Sequence, residues 1–197
     1  MAGLERITAD YLAQQRELHA RPGGYGGKGH KWTPTVLAIA AEVGAQSLLD
    51  YGCGQGSLMR ALQDSLPVAC DSRPQLFDYD PAIPGRDAAP APADLVVCTD
   101  VLEHIEPRCL GAVLAHLRAL TQKALFLVVA LDPANKTLLD GRNAHLIQES
   151  PAWWTERVRA SGFSLMTDEA FARVPLPLQH YDPKKREKRW MTVGYPC

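Results

Sequence analysis

Short apolar runs alternate with amphipathic stretches along this chain of 197 residues. Runs rich in apolar and strand-forming residues predict six β-strands, at 46–50, 75–79, 93–98, 124–131, 163–167 and 190–193. Apolar residues at helical spacing predict helices over about 4–19, 33–43, 107–120 and 150–162, and another that begins near 57. The alternation is typical of an α/β fold, a mostly parallel sheet flanked by helices.

The length fits one domain, because domains usually hold roughly 100–200 residues. We expect residues 1–44 to form a helical amino-terminal extension with a glycine-rich lid loop, and residues 45–197 to form the α/β core. The segment between Asp80 and Asp94 is rich in Pro and Ala and shows no helix or strand pattern. The third-strand region of the sheet is therefore predicted to be reduced.

Charge and cysteine content exclude some classes of protein. The formal net charge is −1, so no overall field points to nucleic acid or membrane. The five cysteines are scattered without a C-x-x-C pair, which fits reduced thiols. The first residues lack a signal-peptide pattern, and no apolar run approaches the roughly 18 residues of a membrane span. We expect a cytoplasmic protein with no membrane partner.

The strongest chemical signal is the glycine-rich turn after the first predicted strand. Gly52, Gly54 and Gly56 let the backbone turn sharply and let a nucleotide-like ligand approach without a Cβ in the way. A dinucleotide enzyme would show G-x-G-x-x-G, and the carboxylate of Asp50 would repel a pyrophosphate. A cationic ligand without phosphate would instead be attracted.

The stretch from Leu48 to Leu58 closely resembles motif I of class I S-adenosylmethionine-dependent methyltransferases. The resemblance implies a Rossmann-like fold and S-adenosylmethionine as the cofactor. In that family an acidic residue at the end of the second strand holds the ribose hydroxyls; Asp80 matches this position, with Asp78 as the competitor. The stretch 93–104 resembles motif IV. The residues implied to bind the cofactor are Asp50, Gly52, Cys53, Gly54, Gly56, Asp80, Thr99, Asp100 and Val101.

A second pattern is Asp100-x-x-Glu103-His104, with His145 later in the chain. It resembles the metal-binding E-x-x-E-H of methyltransferases that modify catechol-type quinone precursors or the 3′-terminal ribose of small RNA. A divalent ion would fit the pattern, but many family members with a V-L-E-H stretch show no metal dependence, so we do not expect one. His104 is the candidate catalytic residue, as a general base.

Two clusters of positive charge are candidates for phosphate binding. The first is 184–189, with five cationic side chains in six residues; the second consists of Arg21, Lys28, His30 and Lys31, with Tyr25 and Trp32 interleaved. Each cluster can equally be a solvated loop. If both border the pocket opening, a nucleic acid or nucleotide becomes the better acceptor. The glycine-rich loop can also be a lid, with Tyr25 or Trp32 covering the ligand.

The sequence leaves three functions to compare. The first, which we expect, is a methyltransferase of the EC 2.1.1 class that acts on a nucleic acid, a nucleotide or a small molecule. The second is a catalytically silent module that binds S-adenosylmethionine or a nucleotide and contacts nucleic acid; the absence of an acceptor pocket beside the donor would favour it. The third is a nicotinamide-dependent oxidoreductase, which the position of Asp50 disfavours.

Overall fold

The fold is built on one six-stranded sheet. The computed structural model describes residues 5–21, 26–66, 73–175 and 187–197. The strands are β1 Ser47–Tyr51, β2 Gln75–Tyr79, β3 Ala93–Thr99, β4 Thr121–Ala130, β5 Phe163–Leu165 and β6 Arg189–Pro196. They are ordered β2-β1-β3-β4-β6-β5. Strands β1 to β4 run parallel, so their carboxyl ends meet at one edge, and β6 is antiparallel to both β4 and β5.

Helices cover both faces of the sheet. They are α1 Ala9–Ala20, α2 Thr33–Glu42, α3 Ser57–Ser65, α4 Leu110–Leu120, α5 Pro151–Ala160 and α6 Asp168–Phe171. Helices α4 and α5 contribute to the core on one face, and α2 and α3 to the core on the other. Cover on both faces explains why β3 and β4 are almost continuously apolar. Among the described helices, none has the length and apolar composition needed to cross a bilayer.

Helix α1 packs outside these two layers. Its residues Tyr11 and Leu18 form a small apolar cluster with Leu138 and Ala144. The side chain of Thr8 accepts a hydrogen bond from the backbone N–H of Tyr11 at 3.2 Å and so caps the helix. The helix begins directly after this cap, which is why it starts later than the apolar spacing predicts.

The predicted strands are all present, and β2 has the predicted bounds. The stretch 80–92 contains turns but no strand, so the prediction of a reduced third-strand region is confirmed. Helix α6 was not predicted, because it has four residues and buries only Phe171. A single buried side chain leaves no helical period in the sequence.

Trp32 belongs to the core and not to a lid. Its side chain is fully buried, and its ring meets that of Phe126 edge to face with centroids 5.6 Å apart. Burying so large an apolar surface against the sheet stabilises the fold. The prediction that Trp32 covers a ligand is therefore wrong. Tyr25, the other lid candidate, lies outside the described residues.

Candidate functional site

The glycine-rich loop connects β1 to α3 at the carboxyl edge of the sheet. Gly52, Gly54 and Gly56 have φ angles of 79°, 51° and 67°, which residues with a Cβ rarely adopt. A Cβ on Gly52 would lie 2.5 Å from a methyl carbon of Val101. The N–H of Gly52 donates to the carbonyl oxygen of Tyr79 at 2.7 Å and ties the loop to the end of β2. The backbone path itself therefore requires these glycines.

Asp80 directly follows β2 and faces this loop. One carboxylate oxygen accepts a hydrogen bond from the N–H of Gly54 at 3.0 Å, and the other accepts one from the N–H of Ala82 at 2.9 Å. The side chain is buried. Asp78, the competing candidate, instead pairs with Arg86 at 3.4 Å. Of the two carboxylates, Asp80 is the one that accepts a hydrogen bond from a backbone N–H of the glycine loop.

Asp50 makes the same edge of the sheet acidic. Burial, together with the carboxylates of Asp78 and Asp80, raises the pKa of Asp50 to about 8. Burial also raises the pKa of the Cys53 thiol, so this cysteine stays protonated and is a poor nucleophile. A positively charged ligand at this edge would favour the ionised form of Asp50.

A first cavity of about 780 Å³ opens at the glycine loop. Gly52, Gly54, Asp80 and Val101 line it on the loop side. Residues of α1 and α4 form other parts of its wall. The volume is within the range of small-molecule and cofactor sites, roughly 300–1,000 Å³.

A second cavity of about 720 Å³ adjoins the first. Gly26, Gly52, Asp100 and His104 line both cavities. Three of the residues predicted to bind the cofactor, Asp50, Cys53 and Thr99, line the second cavity and not the first. Two ligands, one in each cavity, would therefore meet beside these four shared residues.

Asp100 is held between two cations at this junction. Its carboxylate accepts hydrogen bonds from Lys31 Nζ at 2.8 Å and from Arg189 Nε at 3.2 Å. Burial alone would raise the pKa of Asp100, but the two positive charges outweigh it and hold the pKa below its usual value. Asp100 also has a φ of 55°, the only positive φ among the described non-glycine residues. The charged group and the unusual backbone mark a tightly constrained position.

Glu103, His104 and His145 lie together in the wall of the second cavity. Glu103 is fully buried, and its Oε1 accepts a hydrogen bond from the N–H of Ala130 at 3.0 Å. His104 Nδ1 lies 2.8 Å from the carbonyl oxygen of Ala144. Burial, and then the neighbouring His145, lower the pKa of His104 to about 4. The imidazole of His104 is therefore neutral at pH 7.

Both basic clusters contribute to the second cavity. Lys28 and Lys31 come from one cluster, and Lys188 and Arg189 come from the other. The cationic residues 184–186 lie outside the described residues. Two segments far apart in the sequence thus bring positive charge to one cavity.

The sheet order, the helices on both faces and the glycine loop with Asp80 are those of a Rossmann-like methyltransferase fold. A family model described as a methyltransferase domain matches residues 11–174. The chain belongs to this family, the class I S-adenosylmethionine-dependent methyltransferases, and the resemblance seen at the glycine loop is confirmed. Among curated proteins, none matches the chain.

Solved structures with this fold include several methyltransferases. One is the 1,6-didemethyltoxoflavin-N1-methyltransferase of Burkholderia thailandensis, with 17% identity, a TM-score of 0.58, and coverage of 95% of this chain and 86% of that one. A second is DhpI in complex with SAH, with 18% identity, a TM-score of 0.56, and coverage of 100% and 98%. A third is the magnesium protoporphyrin IX methyltransferase of Synechocystis PCC 6803, with 18% identity, a TM-score of 0.52, and coverage of 96% and 95%. At these identities the likeness shows the shared fold.

Sequence reasoning missed the partners of the site residues. The cations on Asp100 lie 69 and 89 residues away in the chain, and no local pattern links them. The neighbourhood of Glu103, His104 and His145 could be suspected from their residue types, but only the folded chain brings His145 to the other two.

Proposed function

We propose that the chain transfers the methyl group of S-adenosylmethionine, bound in the first cavity, to a nucleotide or nucleic acid bound in the second. The observation that carries the proposal is the junction of the two cavities at Gly52, Asp100 and His104. Methyl transfer from a sulfonium is a direct displacement, so donor and acceptor must touch in line. Alignment of this kind supplies roughly 7–11 kcal/mol of a reaction barrier.

The cofactor assignment rests on charge and on hydrogen-bonding capacity. Each carboxylate oxygen of Asp80 accepts one backbone hydrogen bond and keeps a further lone pair, which suits the two ribose hydroxyls. The acidic surroundings of Asp50 suit the cationic amino group and sulfonium. Thr99, Asp100 and Val101, at the end of β3, are assigned to the methionine half. Val101 lines the first cavity, Asp100 lines both, and Asp50 and Thr99 line the second, so this half of the cofactor is proposed to lie at the junction of the two cavities.

The acceptor assignment rests on the charge of the second cavity. Five cationic side chains line it: Lys28, Lys31, Lys136, Lys188 and Arg189. Four carboxyl groups also line it: Asp50, Asp100, Glu103 and Asp132, the last paired with Lys188 at 2.8 Å. Burial raises the pKa of Asp50 and of Glu103 to about 8, so these two add little negative charge at pH 7. The positive excess favours an acceptor with phosphate groups. His104, at the junction, is the residue that we propose to act on the acceptor.

This second cavity argues against the silent regulatory module, because a protein that only binds the cofactor needs no acceptor pocket. We also propose a cytoplasmic location. In the described part of the chain Cys53, Cys98, Cys109 and Cys197 are free thiols, which suits a reducing compartment.

The first experiment is thermal unfolding with S-adenosylhomocysteine, with NAD as the comparison ligand. At about 100 times the dissociation constant, binding stabilises by roughly 2.7 kcal/mol, a midpoint rise of roughly 5–10 °C for this size. We expect the rise with S-adenosylhomocysteine only. Asp80→Asn should remove most of it, and the matched Asp78→Asn should keep it. No rise in the unmodified protein, or a rise only with NAD, would overturn the proposal.

A second experiment tests the acceptor. With S-adenosylhomocysteine present, calorimetry should detect binding of adenosine monophosphate but much weaker binding of adenosine. Lys188→Gln should weaken nucleotide binding and leave S-adenosylhomocysteine affinity unchanged. Lys123→Gln is the control, because Lys123 pairs with Asp94 near the opposite end of the strands. Equal binding of adenosine and its monophosphate would rule out recognition through phosphate.

A further inference from the structure

Two cations of the second cavity lie at its junction with the first. Lys31 and Arg189 line the second cavity, and both are bonded to Asp100, which lines the two cavities. Lys31 Nζ lies 2.8 Å from one carboxylate oxygen of Asp100, and Arg189 Nε lies 3.2 Å from the other. An anion bound to these two cations would therefore lie beside the methionine half of the cofactor.

Both cations keep hydrogen-bond donors for a second anion. The ammonium group of Lys31 has three N–H donors and the guanidinium of Arg189 has five, and Asp100 accepts one hydrogen bond from each. The two side chains are 16% and 25% exposed, so solvent screens their charge less than that of Lys188, which is 58% exposed. The pair is therefore able to bind a phosphate group while it still holds Asp100.

The balance of charge at the junction favours a negatively charged acceptor atom. Lys31 and Arg189 face one ionised carboxylate, that of Asp100. The cofactor adds a net positive charge, since its ammonium and sulfonium groups outnumber its carboxylate. Even when the cofactor ionises Asp50, a net positive charge remains. An oxyanion is therefore attracted to the position of the donor methyl group.

A hydroxyl acceptor would need a base, and the two ionisable residues that line both cavities are poor bases. Burial opposes ionisation of Asp100, but its two cations hold its pKa below the usual value. His104 Nδ1 lies 2.8 Å from the carbonyl oxygen of Ala144, and burial, followed by His145, lowers the pKa of His104 to about 4. An efficient general base has a pKa near the working pH. A phosphate monoester, whose second pKa is about 6, needs no base at neutral pH.

We propose that the methyl acceptor is an oxygen of a phosphate monoester, bound at the junction by Lys31 and Arg189. The inference rests on the proposed function and adds that the phosphate is itself methylated. The phosphate oxygen bonds to the methyl carbon, the carbon–sulfur bond breaks, and its electron pair stays on sulfur. The products are a methyl phosphodiester and S-adenosylhomocysteine. His104 then borders the acceptor as a neutral ring and takes no proton from it.

The first test measures whether the bound phosphate lies beside the donor sulfur. Adenosine monophosphate is titrated by calorimetry into the full-length protein, saturated either with S-adenosylhomocysteine or with sinefungin. The sulfur of S-adenosylhomocysteine is neutral, whereas sinefungin carries a cationic amine in place of the methyl sulfonium. Two unit charges about 4 Å apart attract by about 1 kcal/mol even in water, so we expect roughly fivefold tighter binding with sinefungin.

Arg189 and Lys188 provide a matched pair of variants. Arg189 is bonded to Asp100 at the junction, whereas Lys188 pairs with Asp132 at 2.8 Å. Arg189→Gln should remove most of the preference for the sinefungin complex, because the phosphate loses its anchor beside the sulfur, and Arg189→Lys should retain it. Lys188→Gln should weaken binding to both complexes by the same factor.

Two results of the binding test would overturn the inference. Equal affinity of the unmodified protein in the two complexes would place the phosphate away from the donor; the proposed function would then stand, and only this inference would fall. Loss of S-adenosylhomocysteine binding in Arg189→Gln would assign Arg189 to the carboxylate of the cofactor. If adenosine monophosphate binds to neither complex, the acceptor proposal falls too, while the S-adenosylhomocysteine shift separately decides the cofactor site.

The second test locates the transferred methyl group. The protein is incubated with methyl-labelled S-adenosylmethionine and adenosine monophosphate, and the product is treated with alkaline phosphatase. This enzyme hydrolyses phosphate monoesters but not a methyl phosphodiester. We expect the label on a nucleotide that resists the phosphatase. A labelled nucleoside after the treatment would show methylation of the ribose or the base and would overturn the inference.

Discussion

Gly54 lies where the glycine-rich loop meets the amino-terminal segment. Its φ is 51°, and a Cβ built there would lie 2.4 Å from the Cα of Gly26. The obstacle is backbone, so no side chain can move aside. We expect Gly54→Ala to lower the free energy of unfolding by roughly 1–3 kcal/mol and to weaken S-adenosylhomocysteine binding, because the loop and Asp80 both shift. Chemical denaturation and calorimetry measure the two effects.

The matched control is Gly111→Ala in α4. This glycine has open space where its Cβ would lie and a helical backbone, so alanine should stabilise the protein by about 0.5–1 kcal/mol. Unchanged cofactor binding in Gly54→Ala would mean that the close approach to Gly26 has no role in the site.

At the residue scale the sequence predicts the place and backbone conformation of single site residues better than it predicts which side chains they pair with. Gly52, Gly54 and Gly56 all adopt the positive φ that their spacing suggests, and Asp80 lies beside them as the end of the second strand requires. These relations are local, since they depend on one strand-to-helix turn and its neighbouring strand. The ion pairs of Asp100 depend on chain segments far away, and no period or motif encodes them.

At the element scale the strand and helix positions follow from hydrophobic period, but strand direction does not. The apolar run at 190–193 predicts a strand, and β6 covers it. It lies between β4 and β5 and runs antiparallel to both. A short run of alternating residues looks the same in either direction.

A carboxylate of the core accepts two hydrogen bonds at the start of helix α1, and the Tyr11 hydroxyl of this helix donates another to the carbonyl oxygen of His104 at 2.5 Å. Glu106 accepts hydrogen bonds from both the N–H and the hydroxyl of Thr8, each at 3.0 Å. Hydrogen bonds to a charged group contribute about 1.5–3 kcal/mol. We expect Glu106→Ala to speed amide hydrogen exchange throughout α1 and to weaken S-adenosylhomocysteine binding, because Tyr11 on this helix lines the first cavity.

Glu17→Ala provides the control within the same helix. Glu17 pairs with Arg21 at 2.8 Å on the exposed surface, where such pairs contribute little. Its removal should leave exchange in α1 nearly unchanged. If Glu106→Ala behaves like Glu17→Ala, then the apolar cluster around Tyr11 and Leu18 and the hydrogen bond from the Tyr11 hydroxyl to His104 hold the helix without Glu106.

At the scale of the whole molecule, the acidic edge of the sheet links stability to pH. Burial, Asp78 and Asp80 raise the pKa of Asp50 from 3.8 to about 8. A raised pKa in the folded state means that the folded protein binds the extra proton. The stabilising effect of this proton on Asp50 is complete below about pH 3.8 and is lost as the pH rises toward about 8. The ligand-free domain should therefore weaken toward alkaline pH.

Replacing Asp50 with Asn isolates this effect. Between pH 5 and pH 8 the unmodified protein should lose stability relative to Asp50→Asn by an amount on the order of 3 kcal/mol, measured by urea unfolding at each pH. Asp94→Asn is the opposite control, because hydrogen bonds from Gln46 and Lys123 lower the pKa of Asp94. The stabilising effect of Asp94 is therefore constant above about pH 5, and the stability difference between the unmodified protein and Asp94→Asn should not change between pH 5 and pH 8.

A cationic ligand stabilises the ionised Asp50, so saturating S-adenosylhomocysteine should reduce the loss of stability toward alkaline pH in the unmodified protein but not in Asp50→Asn. A loss that the ligand leaves unchanged would place its amino group away from Asp50.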